Sequence, residues 1–261
     1  MKAGRSATPH LFDAWGDACQ IIRRASYVAL FLDFDGTLVH LGRTPDEARL
    51  SDRTRRVLMR LARNPRVGVW VISGRRRSEL RQRILLKGVR YLGLYGWEQG
   101  TRLSLPVAIR NSLQRAKIEL AERLSRYPNV WIEDKKLSIT IHRPYKSAPT
   151  RRDSIASLVW EVCGRFKTHL KLLENLAGWE VIPVACPGKG LAVRKELAHF
   201  TPQNALPIYL GDDLSDEPAF AALPRGLTVL VGGPRKTRAR FRLRSPGEVP
   251  RALGRLEEEL A

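Results

Sequence analysis

Two aspartates stand two residues apart in Phe31-Leu32-Asp33-Phe34-Asp35-Gly36-Thr37-Leu38, directly after an apolar run that begins at Tyr27. Carboxylates at this spacing can together hold a hard cation through oxygen. The run from Tyr27 to Leu32 has no polar alternation, which is how a strand covered on both faces of a parallel sheet is written. Ligands of such sheets collect at the carboxyl ends of the strands. The pattern predicts a buried strand that delivers two acids to a sheet edge, with Gly36 and Thr37 in a tight exposed turn. That arrangement suits chemistry on an anionic group held by a metal.

Two further apolar runs share the design: Val67 to Ile72 ends in Ser73, and Ile208 to Leu210 ends in Gly211 and Asp212. Helical patterns from Asp52 to Arg63 and from Lys189 to Phe200 alternate with them, so a parallel sheet flanked by helices follows. Tyr91 to Tyr95 and Leu227 to Val231 are additional strand candidates. The stretch after Leu105 breaks this rhythm. It reads as a helix from Pro106 to Tyr127, a hairpin of Val130–Glu133 and Leu137–His142, a helix from Thr150 to Phe166, and strands Leu170–Leu173 and Glu180–Val184. The expectation is an α/β protein: a Rossmann-like parallel-sheet core, residues 1–104 and 187–261, carrying an inserted α+β cap, residues 105–186, that sets substrate specificity. A closing helix from Pro246 to Leu260 and a loose first ten or so residues complete the reading.

The chain has 261 residues, 43 % of them hydrophobic, enough for a substantial core. No apolar run approaches the roughly 18–20 residues of a membrane span, and Met1 to His10 lacks the apolar centre of a secretory signal, so a cytoplasmic protein without a membrane partner is expected. Cys19, Cys163 and Cys186 are far apart and odd in number, which favours buried thiols over disulfides or zinc ligands. The 46 Lys plus Arg against 26 Asp plus Glu leave a net charge of +20. These cations spread over Arg53–Arg66, Arg75–Arg90 and Arg235–Arg255 without aromatic interleaving or zinc-finger spacing, which argues against a dedicated nucleic-acid groove. They read as a solvated surface that can steer a phosphorylated substrate. A monomer is expected.

Together with Lys189 in Pro187-Gly188-Lys189-Gly190 and the acidic Gly211-Asp-Asp-Leu-Ser-Asp-Glu217, these elements resemble the haloacid dehalogenase superfamily of phosphohydrolases, with four motifs in the family order. The resemblance implies that Asp33 attacks phosphorus to form a phosphoaspartate while Asp35 protonates the leaving alkoxide and then deprotonates water. It implies Mg2+ held by the Asp33 carboxylate, the Asp35 carbonyl and Asp212, with Asp213 and Asp216 orienting metal-bound waters. Ser73 and Lys189 would bind the phosphoryl oxygens, Gly74 would permit close approach, and Arg75 would contact substrate.

Several fragments narrow the likeness to the trehalose-6-phosphate phosphatase branch: Ile72-Ser73-Gly74-Arg75, Gly96-x-Glu98, Glu133-x-Lys135 with Ser138 and His142, and Gly211 to Phe220. The resemblance implies sugar hydroxyls bound by Glu133 and Lys135. Three departures bear on that reading. Tyr95-Gly96 stands for His-Gly, His142-Arg143-Pro144 stands for His-Tyr-Arg, and Pro183 and Ala185 stand where the family has Glu and Arg. The expected substrate is trehalose 6-phosphate. Sucrose phosphate, a glycosyl phosphoglycerate, or a non-catalytic sugar-phosphate-binding role stay open as alternatives. Trp97 and Trp179 can stack on a sugar or pack in a core.

Overall fold

The computed structural model of the protein describes residues 8–42, 48–100, 103–143, 149–175 and 178–261. They form two compact units, one from residues 1–99 and 188–261, the other from residues 100–187.

The first unit is built on a six-stranded, wholly parallel sheet. Its strands are β1 (Val28–Leu32), β2 (Val67–Ile72), β3 (Val89–Leu92), and, beyond the second unit, Leu206–Gly211, Leu227–Val231 and Phe241–Leu243. All five residues of β1 are buried, as its uninterrupted apolar run requires. One sheet face carries an aromatic layer, with Phe31 stacked 4.8 Å from Trp70 and 6.5 Å from Tyr209. The other carries Val28, Leu30 and Leu32, covered by α1 (Trp15–Arg24), α2 (Asp52–Leu61) and the C-terminal helix Val249–Leu260. Helix α2 starts where the Ser51 Oγ accepts the Thr54 N–H at 3.1 Å, and it turns Thr54, Val57, Leu58 and Leu61 inward at helical spacing. A short α3 (Arg77–Ile84) joins β2 to β3.

The second unit consists of α4 (Val107–Leu124), β4 (Trp131–Asp134), β5 (Ile139–His142), α5 (Pro149–Gly164), β6 (Leu170–Asn175) and β7 (Gly178–Pro183). Its four-stranded antiparallel sheet has the order β4-β5-β7-β6. The chain then re-enters the first unit through α6 (Gly188–Phe200), β8 (Leu206–Gly211), α7 (Glu217–Ala222), β9 (Leu227–Val231), β10 (Phe241–Leu243) and α8 (Val249–Leu260). The parallel sheet runs β10-β9-β8-β1-β2-β3. The chain therefore leaves β1 toward one edge and later leaves β8 toward the other, so the ends of these neighbours flank a topological switch point, where a crevice for ligands opens.

Three expectations are corrected. The strand expected at Tyr91–Tyr95 is Val89–Leu92, and Leu94–Gly96 is a 3-10 turn with Leu94 and Tyr95 at φ 47° and 57°. The ladder to β2 ends at Ile72–Leu92, and the Ser73 carbonyl then accepts the Tyr95 N–H at 2.9 Å. Strand β10, inside the basic tail, was not anticipated; only Phe241 and Leu243 alternate there with Arg242. Residues 1–7 lie outside the described residues, but His10, within the segment expected to be loose, is buried, pairs with Arg242 and bonds Glu248 at 2.9 Å.

Candidate active site

The end of β1 brings Asp33 to the switch point, where its N–H donates to the Leu210 carbonyl of β8 at 2.9 Å. Strand β8 ends at Gly211, and Asp212 follows it directly. Oxygens of Asp33, Asp212 and Asp216 lie within 4.8 Å of one another. Lys189, in the first turn of α6, reaches in between: its Nζ donates at 2.7 Å to both Asp33 Oδ1 and Asp216 Oδ1. All four residues are buried, and Asp216 and Lys189 are 0 % and 3 % exposed. Residues 156 apart in sequence meet here only because the sheet sets β1 beside β8.

Two glycines make room. Gly36 has φ +79°, a left-handed conformation that a side chain rarely adopts, and a Cβ there would fall 2.1 Å from Asp212 Oδ2. A Cβ on Gly211 would fall 2.3 Å from the Asp216 carboxyl carbon. The Thr37 hydroxyl donates to Asp212 Oδ1 at 3.0 Å, while Asp216 also accepts from the Tyr209 hydroxyl at 2.6 Å and the Asp213 N–H at 2.9 Å.

The charges do not balance. Burial opposes the Lys189 ammonium, yet Asp216 and Asp33 more than offset it and hold the amine well above its ordinary pKa. One ammonium cannot satisfy three buried carboxylates. Burial pushes the Asp33 carboxyl up, Lys189 draws it down and Asp216 raises it again, to about 7. Burial, followed by the neighbouring Asp33, Asp216 and Asp213, raises Asp212 well above the carboxylate range. A pocket of hard oxygen donors with excess negative charge fits a divalent cation.

The remaining sequence-predicted residues divide. The Asp35 carboxylate is gripped by Arg75, with Nε at 2.6 Å from Oδ2 and Nη2 at 2.7 Å from Oδ1, and Arg75 also pairs with Glu79. Ser73 is buried at the end of β2, and its Oγ accepts the Arg75 N–H at 3.2 Å. Gly74 is required by its neighbour, since a Cβ there would meet the Tyr95 ring at 2.8 Å. Asp213 caps the 3-10 turn Leu214–Asp216, accepting the Leu214 N–H at 2.7 Å. Asp216, expected to orient metal-bound waters, accepts from Lys189, Tyr209 and the Asp213 amide and lies in the acidic cluster with Asp33 and Asp212.

In the second unit, Glu133 and Lys135 go to different partners. The Glu133 carboxylate meets His142 Nε2 at 2.8 Å beside a stacked Trp131–His142 pair, whereas Lys135 Nζ lies 3.3 Å from Glu180. Glu180 is 1 % exposed and also accepts from the Ser138 hydroxyl at 2.7 Å. Trp179 is buried under the Arg143 guanidinium, 5.8 Å away, which makes it a core residue of this unit. Cys163 and Cys186 are buried, and burial alone pushes the Cys163 thiol up to about 12.

Sequence reasoning missed Tyr209, Glu180 and Arg235. The Arg235 Nη2 donates to the carbonyls of Asp212 at 3.1 Å and Asp213 at 3.0 Å, and Nη1 meets Glu217 at 2.7 Å, bracing the acidic loop. Nothing local to Arg235 announces that contact. The turn expected to be exposed at Gly36 and Thr37 is buried, and Thr37 is held inside by its bond to Asp212.

Residues 31–244 match the family model of trehalose-phosphatase. The chain belongs to the trehalose-phosphatase family. It is 33 % identical over 277 aligned positions to the trehalose-phosphate phosphatase of Mycobacterium bovis (strain BCG / Pasteur 1173P2), covering 98 % of this chain and 67 % of that protein. It is 32 % identical over 252 positions to the enzyme of the same name from Mycobacterium ulcerans (strain Agy99), covering 89 % of this chain and 62 % of the relative. The chain thus spans less than two thirds of that relative's length. The fold matches the C-terminal domain of trehalose-6-phosphate phosphatase from C. albicans with a TM-score of 0.82, at 23 % identity, covering 96 % of this chain and 99 % of that one.

Within the trehalose-phosphatase pattern one expectation is corrected. The family acid is not missing at Pro183. Three residues earlier, Glu180-Val181-Ile182-Pro183 provides an acid in the Glu-x-Arg-Pro frame, and Glu180 sits against Lys135 and Ser138. Only the arginine is replaced, by Ile182.

Proposed function

We propose that the chain hydrolyses a sugar phosphomonoester, trehalose 6-phosphate in the first instance, to trehalose and phosphate. The observation that carries this reading is the meeting of Asp33, Lys189, Asp212 and Asp216 at the switch point, in a chain of the trehalose-phosphatase family.

Asp33 is the nucleophile: a carboxylate oxygen forms a bond to phosphorus while the bond to the sugar oxygen breaks. Asp35 gives its proton to the departing alkoxide. In the second half, Asp35 takes a proton from water as that water bonds to phosphorus, the Asp33–phosphorus bond breaks, and phosphate is released. Lys189 holds phosphoryl oxygens and restrains Asp33, while the Ser73 hydroxyl and neighbouring backbone amides supply further donors. The divalent cation, Mg2+ in this reading, would be held by Asp33, Asp212 and the Asp35 carbonyl, and it would neutralise the charge between an anionic nucleophile and an anionic substrate.

The second unit is assigned the sugar. Lys135 and Glu180 offer a donor and an acceptor already held together, and Glu133 with His142 offers a second such pair. Ile182 in the arginine position favours a second reading, in which another phosphorylated disaccharide or glycoside is preferred. The reading takes the protein as cytoplasmic and monomeric; no helix among the described residues is long and apolar enough to cross a membrane.

The test is phosphate release with and without Mg2+ from trehalose 6-phosphate, sucrose 6-phosphate, glycosyl phosphoglycerates and hexose phosphates. Trehalose 6-phosphate should lead by kcat/KM, and Asp33→Asn should abolish turnover. Release by that variant at the wild-type rate removes the nucleophile. A different leading substrate selects the second reading.

A further inference from the structure

Helices α2 and α8 pack side by side and leave between them a surface groove of about 380 Å3. Arg53, Arg56 and Arg60 come from α2, Arg251 and Arg255 from α8, and Gly254 lies between the last two. None of these belongs to the carboxylate cluster at the switch point. A Cβ on Gly254 would meet nothing within 4 Å, so the glycine leaves the groove open rather than relieving a clash.

The spacing of the arginines works against the helices that carry them. Arg56 and Arg60, and Arg251 and Arg255, are like-charge pairs four residues apart, an arrangement that destabilises a helix. Packing α2 against α8 then brings the two sets together. Five arginines and two glutamates, Glu257 and Glu258, line the groove, an excess of three positive charges. Arg60 takes Glu257 in a two-pronged pair at 2.5 and 2.8 Å. The side chains of Arg53 and Arg56 make no hydrogen bond or ion pair among the described residues. By contrast, Arg123 and Arg165 are matched by Glu119 and Glu161 in one ion-pair network.

The α8 arginines are also held in place. The Arg251 guanidinium lies 4.6 Å from the Phe12 ring centre, and that of Arg255 lies 4.9 Å from Phe12 and 5.3 Å from Trp15. A cation resting on a ring keeps its N–H edges available for an anion. The groove thus joins unspent positive charge to restrained donors in a volume within the range of about 300–1,000 Å3 typical of small-ligand sites.

We propose that this groove is a second binding site, for a small molecule bearing two or more linked phosphate groups. Guanidinium groups on two facing helices suit a chain of phosphates, each met by forked donors, and a polyphosphate with three or more negative charges neutralises the excess that a single phosphate leaves unmet. The proposal is independent of the activity assigned to the switch point.

The probe is inorganic tripolyphosphate, titrated onto the full chain at roughly 0.15 M salt, where diffuse surface attraction is screened beyond about 8 Å. Wild type should bind it at one saturable groove site, and Arg56→Ala/Arg251→Ala should weaken binding about tenfold or more. Arg126→Ala/Arg225→Ala removes the same charge from exposed positions outside the groove and should change binding less than about twofold. Equal loss in the two double variants, unchanged affinity in the groove variant, or no binding to wild type would overturn the proposal. So would duplex DNA binding more tightly than tripolyphosphate with equal dependence on both pairs. Should the groove variant fail to fold, phenylglyoxal labelling of wild type read by mass spectrometry decides. Tripolyphosphate should slow modification of Arg53, Arg56 and Arg251 but not of Arg126, and uniform labelling rates overturn the site.

Discussion

Arg75 grips both carboxylate oxygens of Asp35, Nε at 2.6 Å and Nη2 at 2.7 Å. The residue assigned to proton transfer is thus fully engaged by a guanidinium that burial would disfavour but that Asp35 and Glu79 keep firmly charged. In the proposed mechanism Asp35 releases this fork as it turns to the leaving oxygen. Replacing Asp35 with Asn should lower kcat on a sugar phosphate by about 10²–10⁴, the usual worth of a general acid. A substrate with a good leaving group, such as p-nitrophenyl phosphate, should still phosphorylate Asp33 in a single burst. Equal losses in that burst and in steady-state sugar-phosphate turnover would assign Asp35 another role.

Lys189 joins Asp33 to Asp216 inside the protein, with all three side chains at most 6 % exposed. Removing the ammonium leaves two buried carboxylates facing each other. Lys189→Ala should destabilise the metal-free protein by about 3–5 kcal/mol, the range for breaking a buried pair on one side. Urea denaturation at neutral pH measures this, and a change below about 1 kcal/mol would show that the pair is not structural.

Excess negative charge at the switch point should couple stability to a divalent cation. Mg2+ at roughly one hundred times its dissociation constant should add about 2.7 kcal/mol, by preferential binding to the folded state. Asp212→Asn should abolish that increment and raise stability without metal, because a carboxyl that burial and its acidic neighbours hold well above its ordinary pKa has been removed. Thermal unfolding with Mg2+ and with EDTA provides both comparisons. An increment that survives in Asp212→Asn places the cation elsewhere.

Burial would raise the Glu98 carboxyl, but hydrogen bonds from Arg76 at 2.8 Å and from the Arg77 N–H at 2.7 Å outweigh it and hold the pKa below that of an ordinary glutamate. A depressed folded pKa contributes stability that is complete above the unfolded value, about 4.5, and is lost as pH falls through the folded one. Glu98→Gln should therefore cost about 1–3 kcal/mol at pH 7. The gap from wild type should narrow steadily below about pH 4.5. A gap constant from pH 7 to pH 3 would show that charge is not the source.

Glu180 and Lys135 should act on the sugar rather than on the phosphate. Glu180→Gln is expected to lower kcat/KM for trehalose 6-phosphate about 10–100-fold, since one unmatched polar contact in a hydroxyl-binding site is costly. Activity on p-nitrophenyl phosphate should stay within about threefold of wild type, for the same reason. Parallel losses on both substrates would point to a folding defect.

The elements that carry the chemistry were readable because their physics is local. A strand buried on both faces has to be written without polar residues, so the runs Tyr27–Leu32, Val67–Ile72 and Ile208–Leu210 announce strands β1, β2 and β8, and their polar tips mark the sheet edge. The α+β character of the stretch after Leu105 was visible for the same reason, since hairpin turns and helical periodicity are short-range signals. Leu94 and Tyr95 were misread because a run rich in apolar residues hides a left-handed turn that only the end of the β2–β3 ladder imposes. Glu180 was misread by three residues in the approach to Lys189. Its identity as the partner of Lys135 becomes visible only when β7 is laid against β5.

By itself, the sequence determined which residues could react and which strands would present them, because residue type and periodicity are properties of a few consecutive positions. Only the tertiary structure decided that Lys189 lies between Asp33 and Asp216, that Arg75 clasps Asp35, that Arg235 braces the Asp212 loop, and that five arginines converge between α2 and α8. Those contacts join residues on separate elements, and their distances follow from strand order and helix packing, which no local stretch of chain encodes.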